Sequence, residues 1–75
     1  MKLKDYLKKK GHTSYTIAKI IANGKEGKGF ENTRQRVLNS LRRDERNDLT
    51  LKYYRLFADA LEMPLKDLLS GLGHL

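Results

Sequence analysis

Seventy-five residues without a cysteine exclude disulfide staples, thiolate metal sites and a second large domain. The net charge is +7, and it is unevenly divided: residues 1–43 carry twelve basic and three acidic side chains, a net +9, while residues 44–75 carry a net −2. A basic half joined to a mildly acidic half suits one surface to a polyanion, although lysine-rich helices also serve solubility alone.

Taken in chain order, KLKDYLKKKG reads as a first helix, with Leu3, Tyr6 and Leu7 at i, i+3 and i+4 and Gly11 placed to end it. HTSYTIAKIIANG reads as a second. Thr13 or Ser14 can cap it, Ile17, Ile20 and Ile21 form its apolar stripe, and Asn23-Gly24 closes it. Residues 24–29, GKEGKG, have no periodicity and read as a loop. FENTRQRVLNSLRRDE is the third helix. At about 100° per residue, Phe30, Val37, Leu38 and Leu41 share one face, and Asn32, Gln35, Arg36, Asn39 and Arg43 share the opposite one. Residues 44–48 read as a polar connector. TLKYYRLFADALEM is the fourth helix, capped by Thr50, with Leu51, Tyr54, Leu56, Phe57, Ala58 and Leu61 as its core positions. Pro64 suits the first turn of a fifth helix, PLKDLLSG, closed by Gly71. No segment alternates like a strand and none repeats, so the expectation is an all-α, five-helix domain spanning residues 1–75.

The chemistry of catalysis finds no foothold in this pattern. No spacing resembles a nucleophile elbow, a zinc-binding histidine pair or a carboxylate dyad, and His12 and His74 stand alone. We therefore expect neither an enzyme nor a cofactor, metal or small-molecule ligand. GKEGKGF matches neither G-x-x-x-x-G-K-[ST] nor G-x-G-x-x-G, and no strand precedes it, so nucleotide cradling fails on context. Lys25 and Lys28 could still meet a nucleic-acid phosphate, or could simply keep a flexible loop solvated. No apolar run approaches the ~18 residues of a membrane span. The lysine-rich start also lacks the apolar segment that follows in a signal peptide, so the expected setting is cytoplasmic.

The third helix is the informative element. A helix that reads DNA must present amide and guanidinium side chains from one exposed face, because these pair bidentately with base edges. Asn32, Gln35, Arg36, Asn39 and Arg43 are such a set, with Glu31 only near its side. A generic solvated helix would more often mix Glu and Lys in i, i+4 pairs.

Two segments carry a family resemblance. LKKKGHTSYTIAKIIANG resembles the first two helices of the lambda-repressor-like (Cro/cI, XRE) helix-turn-helix family, with its capped helix and small alanine, here Ile17-Ala18. TLKYYRLFADALEMPLKDLLSG is similar to that family's closing segment, with the cap Thr50, the run Ala58, Ala60 and Leu61, and the pair Leu68-Leu69. Together they cover over half the chain. Between them the sequence departs from the family pattern. Roughly ten extra residues precede Val37, where the family uses a turn of about three or four, and Arg42 and Arg43 replace an acidic-then-glycine exit.

The resemblance implies a lambda-repressor-like domain with an elongated turn between its second and third helices, Asn23 to Gly29. It implies that Ser14 and Tyr15 open the helix crossing the DNA backbone, with Ser14 touching phosphate. Asn32, Thr33, Gln35, Arg36 and Asn39 would read bases in the major groove from helix 30–43, while Ser40 and Arg43 would touch phosphate. Lys25 and Lys28 have no family counterpart. The expected function is sequence-specific binding of double-stranded DNA by a small phage, plasmid or bacterial transcriptional regulator, a repressor. A homodimer would supply tight binding, with Leu72 and Leu75 of the C-terminal tail as its contact or else as a frayed end. The alternative is a protein-interaction module, antitoxin-like or adaptor, using the glycine insertion to bind its partner.

Overall fold

Five helices form, and the way each one stops fixes how the next is aimed. The computed structural model describes residues 1–74: α1 (Leu3–Lys9), α2 (Ser14–Ala22), α3 (Lys28–Glu45), α4 (Leu51–Ala60) and α5 (Leu65–Leu72). No strand occurs among the described residues, and none of these helices is long and apolar enough to cross a membrane. α1 ends where Gly11 N–H donates to Lys8 O and His12 N–H to Leu7 O. That pair of bonds satisfies carbonyls the helix leaves open, and it requires the left-handed backbone of Gly11, φ +85. α3 and α4 end in the same way without glycine, on Asn47 (φ 58) and Glu62 (φ 56).

The starts of the helices are chemically varied. Thr13 caps α2 through a reciprocal pair: its hydroxyl accepts from Thr16 N–H at 3.2 Å, and Thr16 Oγ1 accepts from Thr13 N–H at 2.8 Å. Of the two capping candidates, Thr13 is the cap and Ser14 is the first helical residue. Thr50 and Pro64 occupy the positions preceding α4 and α5, neither with a side-chain cap bond.

The core joins all five helices. Leu3, Tyr6 and Leu7 of α1, Ile17 and Ala18 of α2, Val37 and Leu41 of α3, Tyr54, Phe57 and Ala58 of α4, and Leu68 and Leu72 of α5 are buried in one cluster. α2 packs most extensively on α3, α4 lies against α5 and α2, and α1 bridges α3 and α5.

Several expectations give way at this level. α3 begins at Lys28, not Phe30, so the turn after α2 is Asn23 to Gly27 and is shorter than expected. Gly27 takes φ 59, ψ −129, a conformation side chains disfavour, and this lets the chain reverse and enter the helix early. α3 ends at Glu45, as the string FENTRQRVLNSLRRDE implies, so of the connector read at 44–48 the first two residues, Asp44 and Glu45, are helical. Gly71 does not close α5. It lies inside the helix, where a Cβ would meet the Tyr6 ring at 2.7 Å; Gly73, φ 83, forms the αL end. Leu51 and Ile20 are exposed at 61% and 44% rather than in the core. Leu72 is buried inside the domain and so offers no dimer contact, while Leu75 lies outside the described residues.

Asp44 is the one acid of the core, 2% exposed. Its Oδ2 accepts from Leu3 N–H at 2.6 Å, and its Oδ1 accepts from the Tyr54 hydroxyl. The first amide of α1 has no partner within its own helix, and Lys2 provides no side-chain cap; a carboxylate from another helix supplies the acceptor. Lys2 Nζ reaches Asn47 Oδ1 at 2.9 Å and the Asp44 carbonyl at 3.4 Å, closing the same corner from outside.

Asp44→Ala is expected to lower the unfolding free energy by about 3 kcal/mol, since a buried amide and a buried phenol each lose an acceptor at about 1–3 kcal/mol. Tyr54→Phe keeps the Leu3 bond and should cost about 1–2 kcal/mol. Urea unfolding measures both, and a loss well under about 1 kcal/mol in Asp44→Ala would reject the carboxylate as a structural junction.

Burial first, then the hydrogen bond and negative charge of Asp44, push the Tyr54 phenol above the usual tyrosine range. The unfolded phenol ionises at about pH 10 while the folded one stays protonated, so its contribution to stability is complete below that pH and is lost above it. Between about pH 9.5 and 11.5 the wild-type urea midpoint should therefore fall more steeply than that of Tyr54→Phe. Parallel curves would contradict the raised value.

Candidate nucleic-acid interface

α3 is eighteen residues long, about 27 Å at 1.5 Å per residue. Its buried arc is Val37, Ser40, Leu41 and Asp44. Turning away from that arc at helical spacing, Lys28, Asn32, Gln35, Arg36, Asn39, Arg42, Arg43 and Arg46 form a continuous strip. All are exposed except Arg43, which is half-buried. The strip contains no acid: Glu31 and Glu45 fall on the flank, and Asp44 faces the core. Among the described residues the ion pairs reduce to a single long contact, Arg43 Nε to Asp48 Oδ2 at 3.7 Å. The positive charge of the strip is therefore left to solvent or to a ligand.

The residues expected to touch DNA separate into distinct groups. Asn32, Gln35, Arg36 and Asn39 lie together on the strip, and Gln35 Nε2 donates to Asn39 Oδ1 at 3.1 Å. That bond leaves Gln35 Oε1 to accept and Asn39 Nδ2 to donate, side by side at the surface. Thr33 corrects the expectation of a base contact: it is half-buried, in helical line with Ser40 beside Ile21, Val37 and Leu56, and its hydroxyl donates to Gly29 O at 3.0 Å. Ser40 corrects the expectation of a phosphate contact. It is 4% exposed and its hydroxyl donates to Arg36 O at 2.8 Å, because residue 40 turns toward α4 with Val37.

Ser14 is half-buried in the first turn of α2, and Tyr15 is 48% exposed. The Tyr15 ring meets Phe30 edge-on, centroids 5.4 Å apart, and Lys19 Nζ lies 5.5 Å from the Tyr15 ring and 5.8 Å from Phe30. This aromatic contact pins the early start of α3 against α2, beside the turn. Lys25 is exposed with its stem against Gly29. Lys28 is exposed too, but as the first residue of α3 rather than part of a loop, so the two lysines belong to different elements.

Several concavities adjoin α3, two of them beside its arginine-rich second half. One, about 440 Å³, is lined by Arg36, Asn39, Ser40, Arg42, Arg43 and Arg46 of α3 and its exit and by Tyr53 of α4. The other, about 510 Å³, runs between α1, the start of α2 and α3, with Leu7, Leu38 and Leu41 in its wall and Lys4, Lys8, Arg42 and one acid, Glu45, beside them. Sequence reasoning missed Arg46 and Tyr53 by assigning one to a connector and the other to a helix with no relation to α3. Continuing the helical projection past Arg43 would have placed Arg46 in line with Asn39, and Asp44 in line with Val37. Among the described residues no group of three or more His, Cys, Asp or Glu side chains converges to hold a metal ion. No protein-family model, curated protein or solved structure matches this chain.

Proposed function

We propose that this protein binds double-stranded DNA in a sequence-specific way, as a small transcriptional repressor of the helix-turn-helix kind its sequence resembles. The observation carrying the proposal is the acid-free strip of α3, with eight amide and cationic side chains along one exposed face. In the proposed complex, α3 enters the major groove and α2 crosses the backbone with Ser14 at phosphate and Tyr15 at its edge. Asn32, Gln35, Arg36 and Asn39 read bases. The coupled Gln35–Asn39 pair offers one acceptor and one donor together, the complement of the donor and acceptor on the major-groove edge of adenine. Lys25 and Lys28 meet backbone phosphate at the turn, a sequence-independent contribution. Tight binding by so small a footprint calls for a dimer on two half-sites, built on a surface other than Leu72.

A second reading, a protein-interaction module, draws on the groove between α1, α2 and α3, whose leucine wall and lysine rim would suit an acidic amphipathic partner. Retention on heparin separates the two. DNA binding requires salt-sensitive retention, whereas an adaptor would hold a partner without it.

Gln35→Ala or Asn39→Ala should weaken binding to duplexes selected from a random pool by about 1–3 kcal/mol, with binding to random duplex nearly unchanged. Equal losses on both would reject base reading by this pair. Replacing Lys25 and Lys28 together by alanine should reduce the slope of log affinity against log salt by about two phosphate contacts. An unchanged slope would leave the two lysines with solubility alone.

A further inference from the structure

The arginine-lined concavity at the junction of α3 and α4 extends past the base-reading residues and shares only Arg36 and Asn39 with them. We infer that Arg42, Arg43 and Arg46, with Tyr53, form a discrete binding site for a phosphate group, with Arg36 and Asn39 at its upstream edge. This assignment rests on the DNA reading for its biological ligand, but the site's chemistry stands on its own.

Four observations support it. The concavity of about 440 Å³ is lined by four guanidinium groups, an amide, a phenol and Ser40, whose hydroxyl is engaged by Arg36 O, and no acid lines it. The four arginines come from one short stretch, residues 36–46, so their charges stay crowded whatever rotamers they adopt, and guanidinium forks match phosphate oxygens bidentately. The backbone beneath is held: α3 ends at Asn47 with Asp48 N–H donating to Arg43 O at 2.9 Å and Asn47 N–H to Asp44 O at 2.9 Å, while Asp44 is bonded to α1 and α4. Among the described residues the only carboxylate within ion-pair distance of these arginines is Asp48, 66% exposed and 3.7 Å from Arg43 Nε, a pair too long and too solvated to neutralise the cluster.

The concavity is larger than one phosphate group, so a sugar or bridging waters would share it. A phosphodiester of the duplex and a phosphate monoester of a free nucleotide would both satisfy it. In either case the ligand is held by charge-assisted hydrogen bonds from the arginines, with the Tyr53 ring closing the side toward α4.

The test uses the intact protein and begins without DNA. Inorganic phosphate titrated at constant ionic strength against chloride should shift the backbone amide resonances of residues 42–48 saturably. Arg43→Gln combined with Arg46→Gln should weaken that binding about tenfold or more. Asp48→Asn should tighten it, while Asp59→Asn, which changes net charge equally at the far end of α4, should not. Non-saturating shifts equal to those with chloride, or equal tightening by Asp48→Asn and Asp59→Asn, would overturn the site.

Two further arms identify the source of the phosphate. If it belongs to the duplex, the double arginine variant lowers the salt slope by about two while the preference for selected over random duplex persists. If it belongs to a free monoester, the slope stays constant and a nucleoside monophosphate competes with inorganic phosphate. Loss of sequence preference in Gln35→Ala with phosphate binding intact would separate the base-reading strip from this site.

Discussion

One buried carboxylate sets the frame of this protein. Asp44 sits in the last turn of α3, accepts the first amide of α1 and takes the Tyr54 hydroxyl of α4. Burying an acid is costly unless its oxygens are bonded, and both oxygens of Asp44 have donors. The arrangement is therefore selective. It forms only when three helices meet in one register, and apolar residues such as Leu3, Val37 and Phe57 would tolerate small slips that this junction does not. The outer face of α3 points where it does because its inner face is fastened at this corner and packed on α2 along its length.

The same helix separates charge by face. Its single buried acid is inside, its two other acids lie on the flank, and its amides and all its cations except Arg34, which falls beside Leu41, lie outside. Such segregation crowds like charge and weakens the fold by self-repulsion, so stability must be drawn from the opposite face. Leu41 and Asp44 alternate with Arg42, Arg43 and Arg46 along the final turns of α3, and the most crowded cations stand directly over the most tightly bonded part of the core. The polar corner beneath and the cationic concavity above are two sides of a few helical turns.

Much of this was legible from residues. Leu3, Tyr6 and Leu7 announced α1, Gly11 its end, Thr13 or Ser14 the capped start of α2, and the spacing of Val37, Leu38 and Leu41 the polarity of α3. What escaped notice depended on partners distant in sequence or on a backbone conformation. Gly27 looks like any loop glycine until its φ 59, ψ −129 turn starts a helix two residues early. Gly71 looks like a helix stop, but Tyr6, sixty-five positions earlier, needs the space above it. Asp44 looks like a solvated connector because RDERND is uniformly polar, and only its helical phase with Val37 and Leu41 betrays its burial. Leu72 looked like tail because Gly71 seemed to end the helix. At the surface, the amide and arginine strip was readable because exposure follows directly from helical phase, whereas the contribution of Tyr53 from another helix was not.

The start of α3 at Lys28 adds two residues to the helix already expected from Phe30, so most of the extra residues between α2 and Val37 are helical. As a loop they would lengthen the turn; as helix they lengthen the strip. From Asn32 to Asn39 is about 10 Å of rise, and from Asn39 to Arg46 about 10 Å more. A major groove curves away within half a duplex turn, about 17 Å of axis, so a straight helix of about 27 Å cannot keep its whole face on the groove floor. On the DNA reading, one end must lift toward the phosphates. The side chains run in a matching order: the amides Asn32, Gln35 and Asn39 come first, with Lys28 and Arg36 among them, and the cluster Arg42, Arg43 and Arg46, which suits phosphate, follows. A helix elongated only for solubility would have no reason to order amides and guanidiniums along its axis.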